Sequence, residues 1–77
     1  MKKVTIYSTP TCVYCNMAKS YFQEKNVPYE EFNVGQDFER QKEMIELTGQ
    51  RGVPVIVIDG EAIVGFNKPR VQELLGL

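Results

Sequence analysis

Two cysteines, Cys12 and Cys15, are the residues of this chain whose type and spacing can do chemistry. They stand three apart in the stretch Thr9-Pro10-Thr11-Cys12-Val13-Tyr14-Cys15. A strand-like run, Val4-Thr5-Ile6-Tyr7, leads in, and Met17, Ala18, Tyr21 and Phe22 follow at one-turn spacings. On a first helical turn, residues i and i+3 have Cα atoms about 5–6 Å apart, within reach of a disulfide. The first cysteine also lies where unpaired N–H groups and the positive end of the helix dipole favour an anion, here a thiolate. The chemistry indicated is thiol–disulfide exchange.

Three other uses of such a pair compete with this one. A structural zinc site takes four Cys or His ligands, and this chain has two cysteines and no histidine. A single-chain zinc site therefore lacks ligands, while a metal shared between two chains stays open. A structural disulfide closing so short a loop adds little through loop entropy. Two unreactive cysteines would pack as small hydrophobes, but their place between a strand and a helix start argues against it.

The elements that must position the pair can be read around it. Lys3–Ser8 reads as a first strand ending at a Ser-Thr-Pro turn. A helix follows from Cys12 or Val13 to about Lys25, with Asn26 suited to its end and Pro28 barring continuation. Tyr29–Val34 reads as a second strand, which makes a βαβ unit with two parallel strands. Asp37 is a good N-cap for a second helix, Phe38 to about Thr48, stopped by Gly49. Its apolar stripe, Phe38, Met44, Ile45 and Leu47, is expected to cover the sheet, and its charges to form a solvated face. Val53–Ile58 is the most hydrophobic run and is expected to be a central strand buried on both faces, opened by Pro54. Asp59-Gly60 signals a tight hairpin into Glu61–Val64, which Gly65 breaks. A last helix starts at Asn67 or Lys68, with Pro69 in its first turn and Gly76 as terminator.

Composition bounds the function. Seventy-seven residues predict one small domain, residues 1–77, that buries only about 60% of its unfolded surface. At 43% hydrophobic, 25% charged and net charge −1, the chain has no basic excess for nucleic acid. No apolar run approaches the ~20 residues of a membrane span. Polar Thr5, Tyr7, Ser8 and Pro10 stand where a signal peptide would need an apolar segment, so a cytoplasmic setting is expected. In a reducing cytosol a cysteine pair is catalytic or metal-binding more often than structural.

The order β-α-β-α-β-β-α, with Cys-x-x-Cys at the first helix and Val53-Pro54 at the third strand, resembles the thioredoxin fold. It is most similar to the glutaredoxins and the glutaredoxin-like NrdH redoxins, over essentially the whole chain. The resemblance implies an α/β protein: a four-stranded mixed sheet of order 2-1-3-4 flanked by three helices. It implies Cys12 as nucleophile and Cys15 as resolving cysteine. Tyr14 matches the aromatic residue of the glutaredoxin Cys-Pro-Tyr-Cys motif, which flanks glutathione. Pro54 matches the family's cis-proline, and Val53 the residue whose backbone pairs with the bound substrate. Gly65, Phe66 and Asn67 match the loop that meets the γ-glutamyl carboxylate.

The chain also departs from the glutaredoxin pattern. Val13 stands for the usual proline, as in the redoxin motif Cys-Val-Gln-Cys. Thr9 stands where many members carry a lysine. Gly65-Phe66 followed by a cation and Pro69 is similar to the redoxin Gly-Phe-Arg-Pro. Without histidine, the backbone must supply most of the thiolate's stabilisation, with Lys19 or Lys68 as the candidate helping cations. The expected function is a monomeric thiol–disulfide oxidoreductase using glutathione as co-substrate, with no metal, acting on glutathione mixed disulfides or protein disulfides. The alternatives are a redoxin reduced by thioredoxin reductase and serving ribonucleotide reductase, and an iron–sulfur-binding homodimer built on Cys12 and glutathione.

Overall fold

Short, β-branched-rich runs punctuated by Pro, Gly and Asp set the framework of this protein. The computed structural model describes residues 2–77. Its elements are β1 (Val4–Ser8), α1 (Val13–Glu24), β2 (Glu30–Asn33), α2 (Phe38–Thr48), β3 (Val55–Ile58), β4 (Glu61–Val64) and α3 (Lys68–Leu75). They form one mixed sheet in the order β2-β1-β3-β4, the thioredoxin arrangement. β1 and β2 run parallel, with Thr5 opposite Glu30. β3 is antiparallel to both β1 and β4.

The strand between β2 and β3 is the most enclosed: all five residues of β1 are buried. Side chains alternate across it. Val4 and Ile6 point to the face covered by Ala18, Tyr21 and Phe22 of α1 and Val71 of α3. Tyr7 points to the other face, with Val34, Val55 and Met44 of α2. The site thus grows from the end of a strand pinned on both edges and both faces.

Local chemistry sets the boundaries. Asn26 takes the left-handed conformation after α1 (φ 56°), which asparagine tolerates, and the Val27 N–H returns to the Phe22 carbonyl at 2.8 Å. Asp37 caps α2 by accepting from the Arg40 N–H at 3.1 Å. Asp59 and Gly60 both have positive φ, 49° and 88°, the signature of a type I′ turn matched to the twist of a hairpin.

Three expectations need correction. β2 is Glu30–Asn33 rather than Tyr29–Val34, because β1 offers it partners from Thr5 to Ser8 only. β3 begins at Val55 rather than Val53, after Pro54, which has no N–H for the ladder. The stripe on α2 is rotated: Met44 is fully buried, but Phe38 is 75% exposed and Leu47 51% exposed. The face turned to the sheet carries Arg40, Gln41, Met44, Ile45 and Thr48 at helical spacing. Arg40 contributes there by lying 4.0 Å above the Phe32 ring while pairing with Glu43.

Candidate active site

The chain leaves β1 at Ser8, turns through Thr9-Pro10-Thr11 and enters α1 at Cys12. The turn closes with the Cys12 N–H donating to the Thr9 carbonyl at 3.3 Å. Cys12 is the N-cap of α1, in extended conformation (φ −82°, ψ 112°). Serine or aspartate commonly fills this place, accepting an N–H from the first turn with a side-chain oxygen. Here the acceptor is sulfur: the Cys15 N–H donates to Cys12 Sγ at 3.1 Å. A thiolate at that position meets a donor already aimed at it, at the positive end of the helix.

Both cysteines are reduced, and their surroundings differ. Cys12 is partly exposed, whereas Cys15 is fully buried. Burial first, and then a hydrogen bond with the Cys12 thiol, push the Cys15 thiol up to about 12. A hydrogen bond with the Thr9 backbone and the charge of Lys19 act in the opposite direction. The exposed sulfur is the one a disulfide in solution can reach.

Across from the cysteines, the Val53–Pro54 peptide bond is cis, as the family resemblance implied. The Cys12 thiol donates to the Val53 carbonyl at 3.7 Å, so the start of β3 borders the reactive sulfur. The Gly65 N–H donates to the Pro54 carbonyl at 2.8 Å, which ties the loop after β4 to the same edge. Gly65 has φ +82°, a conformation that L side chains rarely adopt. Asn67 then caps α3 with its side chain, accepting from the Arg70 N–H at 3.3 Å.

The expected residues therefore gather in part. Cys12, Cys15, Val53, Pro54 and Gly65 form one connected unit by these bonds. Tyr14 is 63% exposed on the first turn of α1, beside Val13 at 67%. Phe66 packs against the larger core cluster, its ring centroid 5.8 Å from that of Tyr21. A groove of about 500 Å³ runs from Val13 and Met17 past Tyr21 to Phe66 and Lys68. The buried Tyr21 hydroxyl has no hydrogen-bond partner among the described residues.

The cations named as helpers of Cys12 are placed otherwise. Lys68 lies over the Tyr21 ring, 5.3 Å from its centroid. Lys19 is bound to Glu31 at 2.7 Å, and its charge acts on Cys15. Ser8 completes that contact by donating to the same Glu31 oxygen at 2.8 Å. Sequence reading missed this cluster; the spacing of Cys15 and Lys19, one helical turn apart, was the available signal. Among the described residues, no three His, Cys, Asp or Glu side chains gather as a metal-binding group.

A match to the Glutaredoxin family model covers residues 4–63, which includes both cysteines and Val53-Pro54. The chain belongs to the glutaredoxin family. A glutaredoxin-like 8.6 kDa protein from the rubredoxin operon of Clostridium pasteurianum is 47% identical over 72 residues, spanning 94% of this chain and 96% of the relative. A glutaredoxin-like protein NrdH from Lactococcus lactis is 34% identical over 71 residues, spanning 92% and 97%. Among solved structures, a thioredoxin-like protein aligns with a TM-score of 0.91 at 36% identity, covering 99% of this chain and 97% of the other. Glutaredoxin-family geometry thus frames the Cys12–Cys15 pair, and beside the NrdH relative stands Glutaredoxin 3 of Escherichia coli, 37% identical over 67 residues that span 87% of this chain and 81% of the relative.

Proposed function

We propose that this protein is a glutathione-dependent thiol–disulfide oxidoreductase, working in the cytoplasm as a monomeric single domain over residues 1–77. The observation that carries the reading is the Cys12 sulfur at the N-cap of α1, with the Cys15 N–H on it and the Val53 carbonyl beside it. The Cys12 thiolate attacks a substrate disulfide, displaces one thiolate and is left in a mixed disulfide. Either Cys15 or a glutathione thiolate then resolves it.

The glutathione site in this reading is bounded by Tyr14, by the Val53-Pro54 edge and by Gly65, Phe66 and Asn67. The Asn67 side chain is used as a cap. The γ-glutamyl carboxylate is therefore assigned to the backbone N–H groups at the start of α3, where anions bind well. Arg40 is a poor partner for the glycyl carboxylate, because Glu43 and the Phe32 ring already hold it.

A second reading is favoured by specific residues. Val13 and the Gly65-Phe66…Pro69 run match the NrdH pattern, the missing lysine at Thr9 leans the same way, and an NrdH relative aligns over nearly the whole chain. In that reading thioredoxin reductase supplies the electrons and ribonucleotide reductase is the acceptor. The iron–sulfur homodimer is the third reading, and colour after anaerobic purification is its mark. Turnover of a mixed disulfide with glutathione and glutathione reductase, set against turnover with thioredoxin reductase and NADPH, separates the first two. Saturable activity in the first assay supports the glutathione reading. Activity in the second alone replaces it with the NrdH reading.

A further inference from the structure

One helical turn after Cys15, Lys19 belongs to a polar cluster that the reaction as described so far does not use. Ser8 at the end of β1, only 1% exposed, donates to Glu31 of β2 at 2.8 Å. Lys19 of α1 donates to the same carboxylate oxygen at 2.7 Å. Three elements thus converge on one oxygen and hold the ammonium in place. The hydrogen bond with Lys19 is the first cause that lowers the Glu31 pKa, and the same bond raises that of Lys19. The pair stays ionised through the neutral range.

Lys19 stands four residues after Cys15, on the same face of α1. The chain has no histidine, so no imidazole is available to take the proton from a buried thiol. The groups that act on the Cys15 thiol are Cys12, the Thr9 backbone and Lys19. Of these, Lys19 is the cation, and Glu31 holds it at 2.7 Å.

We propose that Lys19, clamped by Glu31 and Ser8, stabilises the Cys15 thiolate in the resolving step. The inference rests on the disulfide-exchange reading given above. In that step the Cys15 proton passes to solvent and the thiolate attacks Cys12 Sγ. The Cys12–Cys15 bond forms as the bond from Cys12 to the substrate sulfur breaks. The substrate leaves as a thiolate and takes a proton from water, so no further oxidant or reductant is needed. Lys19 keeps its proton throughout and acts by charge alone. Glu31 and Ser8 are positioning residues that act through Lys19. Glutathione-driven resolution bypasses Cys15, so the device serves the two-cysteine route.

The test separates the two steps. Mixed-disulfide formation is followed with a peptide disulfide in the Cys15→Ser background, and resolution by release of the second thiol from the intact pair. A partly buried unit charge about one helical turn away is worth roughly a factor of ten in thiolate population. Lys19→Gln is therefore expected to slow resolution roughly tenfold at neutral pH, far more than formation, and to move the resolution pH profile upward. Lys19→Arg keeps the charge and is expected to resolve near the wild-type rate. Glu31→Gln, which frees the ammonium, is expected to fall between. Resolution by Lys19→Gln at the wild-type rate with an unmoved profile overturns the inference. Equal slowing in Lys19→Gln and Lys19→Arg also overturns it, because the side chain is then a strut and not a charge. If the wild-type protein forms no mixed disulfide at Cys12, the proposed function itself fails, and this inference with it.

Discussion

The backbone N–H of Cys15 points at the Cys12 sulfur from 3.1 Å, while the Cys15 thiol is fully buried. In the proposed reaction one residue thus serves its neighbour twice, first as a backbone donor to the attacking sulfur and later as the thiol that displaces the substrate. The backbone role survives replacement of the Cys15 side chain, whereas the thiol role does not.

The variants at these positions are accordingly unequal. Cys12→Ser is expected to abolish all disulfide reduction, since the remaining thiol is buried out of reach of a substrate disulfide. Cys15→Ser is expected to lose reduction of protein disulfides but to keep turnover of glutathione mixed disulfides, which needs one cysteine. Assaying each variant on both substrates checks this. An active Cys12→Ser protein with a dead Cys15→Ser protein would reverse the roles.

Alkaline pH is expected to weaken the reduced protein more than the oxidised one. Cys15, raised to about 12 chiefly by burial, keeps its proton in the fold where the unfolded chain has already lost it. The unfolded state then binds fewer protons, so stability falls as pH climbs from about 8.5 towards the folded value. Tyr7, raised to about 12 by burial and then by Glu43, adds a loss in both redox forms over the upper part of that range. Thermal melts of the two forms from about pH 8 to about pH 11 are expected to show the steeper decline in the dithiol. Parallel slopes would mean that Cys15 does not titrate abnormally.

The rotation of α2 is checked by two alanine substitutions. Met44 is fully buried, and Met44→Ala is expected to cost about 2–5 kcal/mol. Phe38 is 75% exposed, and Phe38→Ala is expected to change stability by less than about 0.5 kcal/mol. Urea midpoints at unchanged m-values measure both. A large loss at Phe38 would mean that the apolar stripe faces the sheet after all.

Thr9 tests glutathione as the partner. Its carbonyl already closes the turn before α1, so a lysine side chain there leaves that bond in place. A charge-assisted hydrogen bond contributes roughly 1.5–3 kcal/mol, which is on the order of tenfold or more in affinity. Thr9→Lys is expected to lower the KM for glutathione accordingly and to leave reduction by thioredoxin reductase little changed. If neither the wild type nor Thr9→Lys shows saturable glutathione dependence, the NrdH reading stands.

Wherever a local rule acts, the fold could be read ahead of the structure. Asp37 and Gly49 bracket α2, and Asp59-Gly60 sets the hairpin, because caps and tight turns depend on a few adjacent residues. Which side of α2 meets the sheet was not legible. That angle follows from how β1, β2 and the turn at Gly35 deliver the helix, and Phe38 lay outside the face so formed. The two cysteines and the cis bond were legible through spacing and resemblance. The Ser8–Glu31–Lys19 cluster was not, because it joins residues from three elements whose meeting depends on the parallel register of β1 and β2.

In the proposed reaction the burial of Cys15 leaves a single doorway for electrons. Every pair that enters or leaves crosses the Cys12 sulfur, so a donor and an acceptor cannot be docked on it together. Each must vacate before the next arrives, and steady-state plots against the two substrates are expected to run parallel, the mark of a ping-pong sequence. The same sealing means that a metal ion or a small oxidant arriving from solution meets one thiol and not a chelating pair.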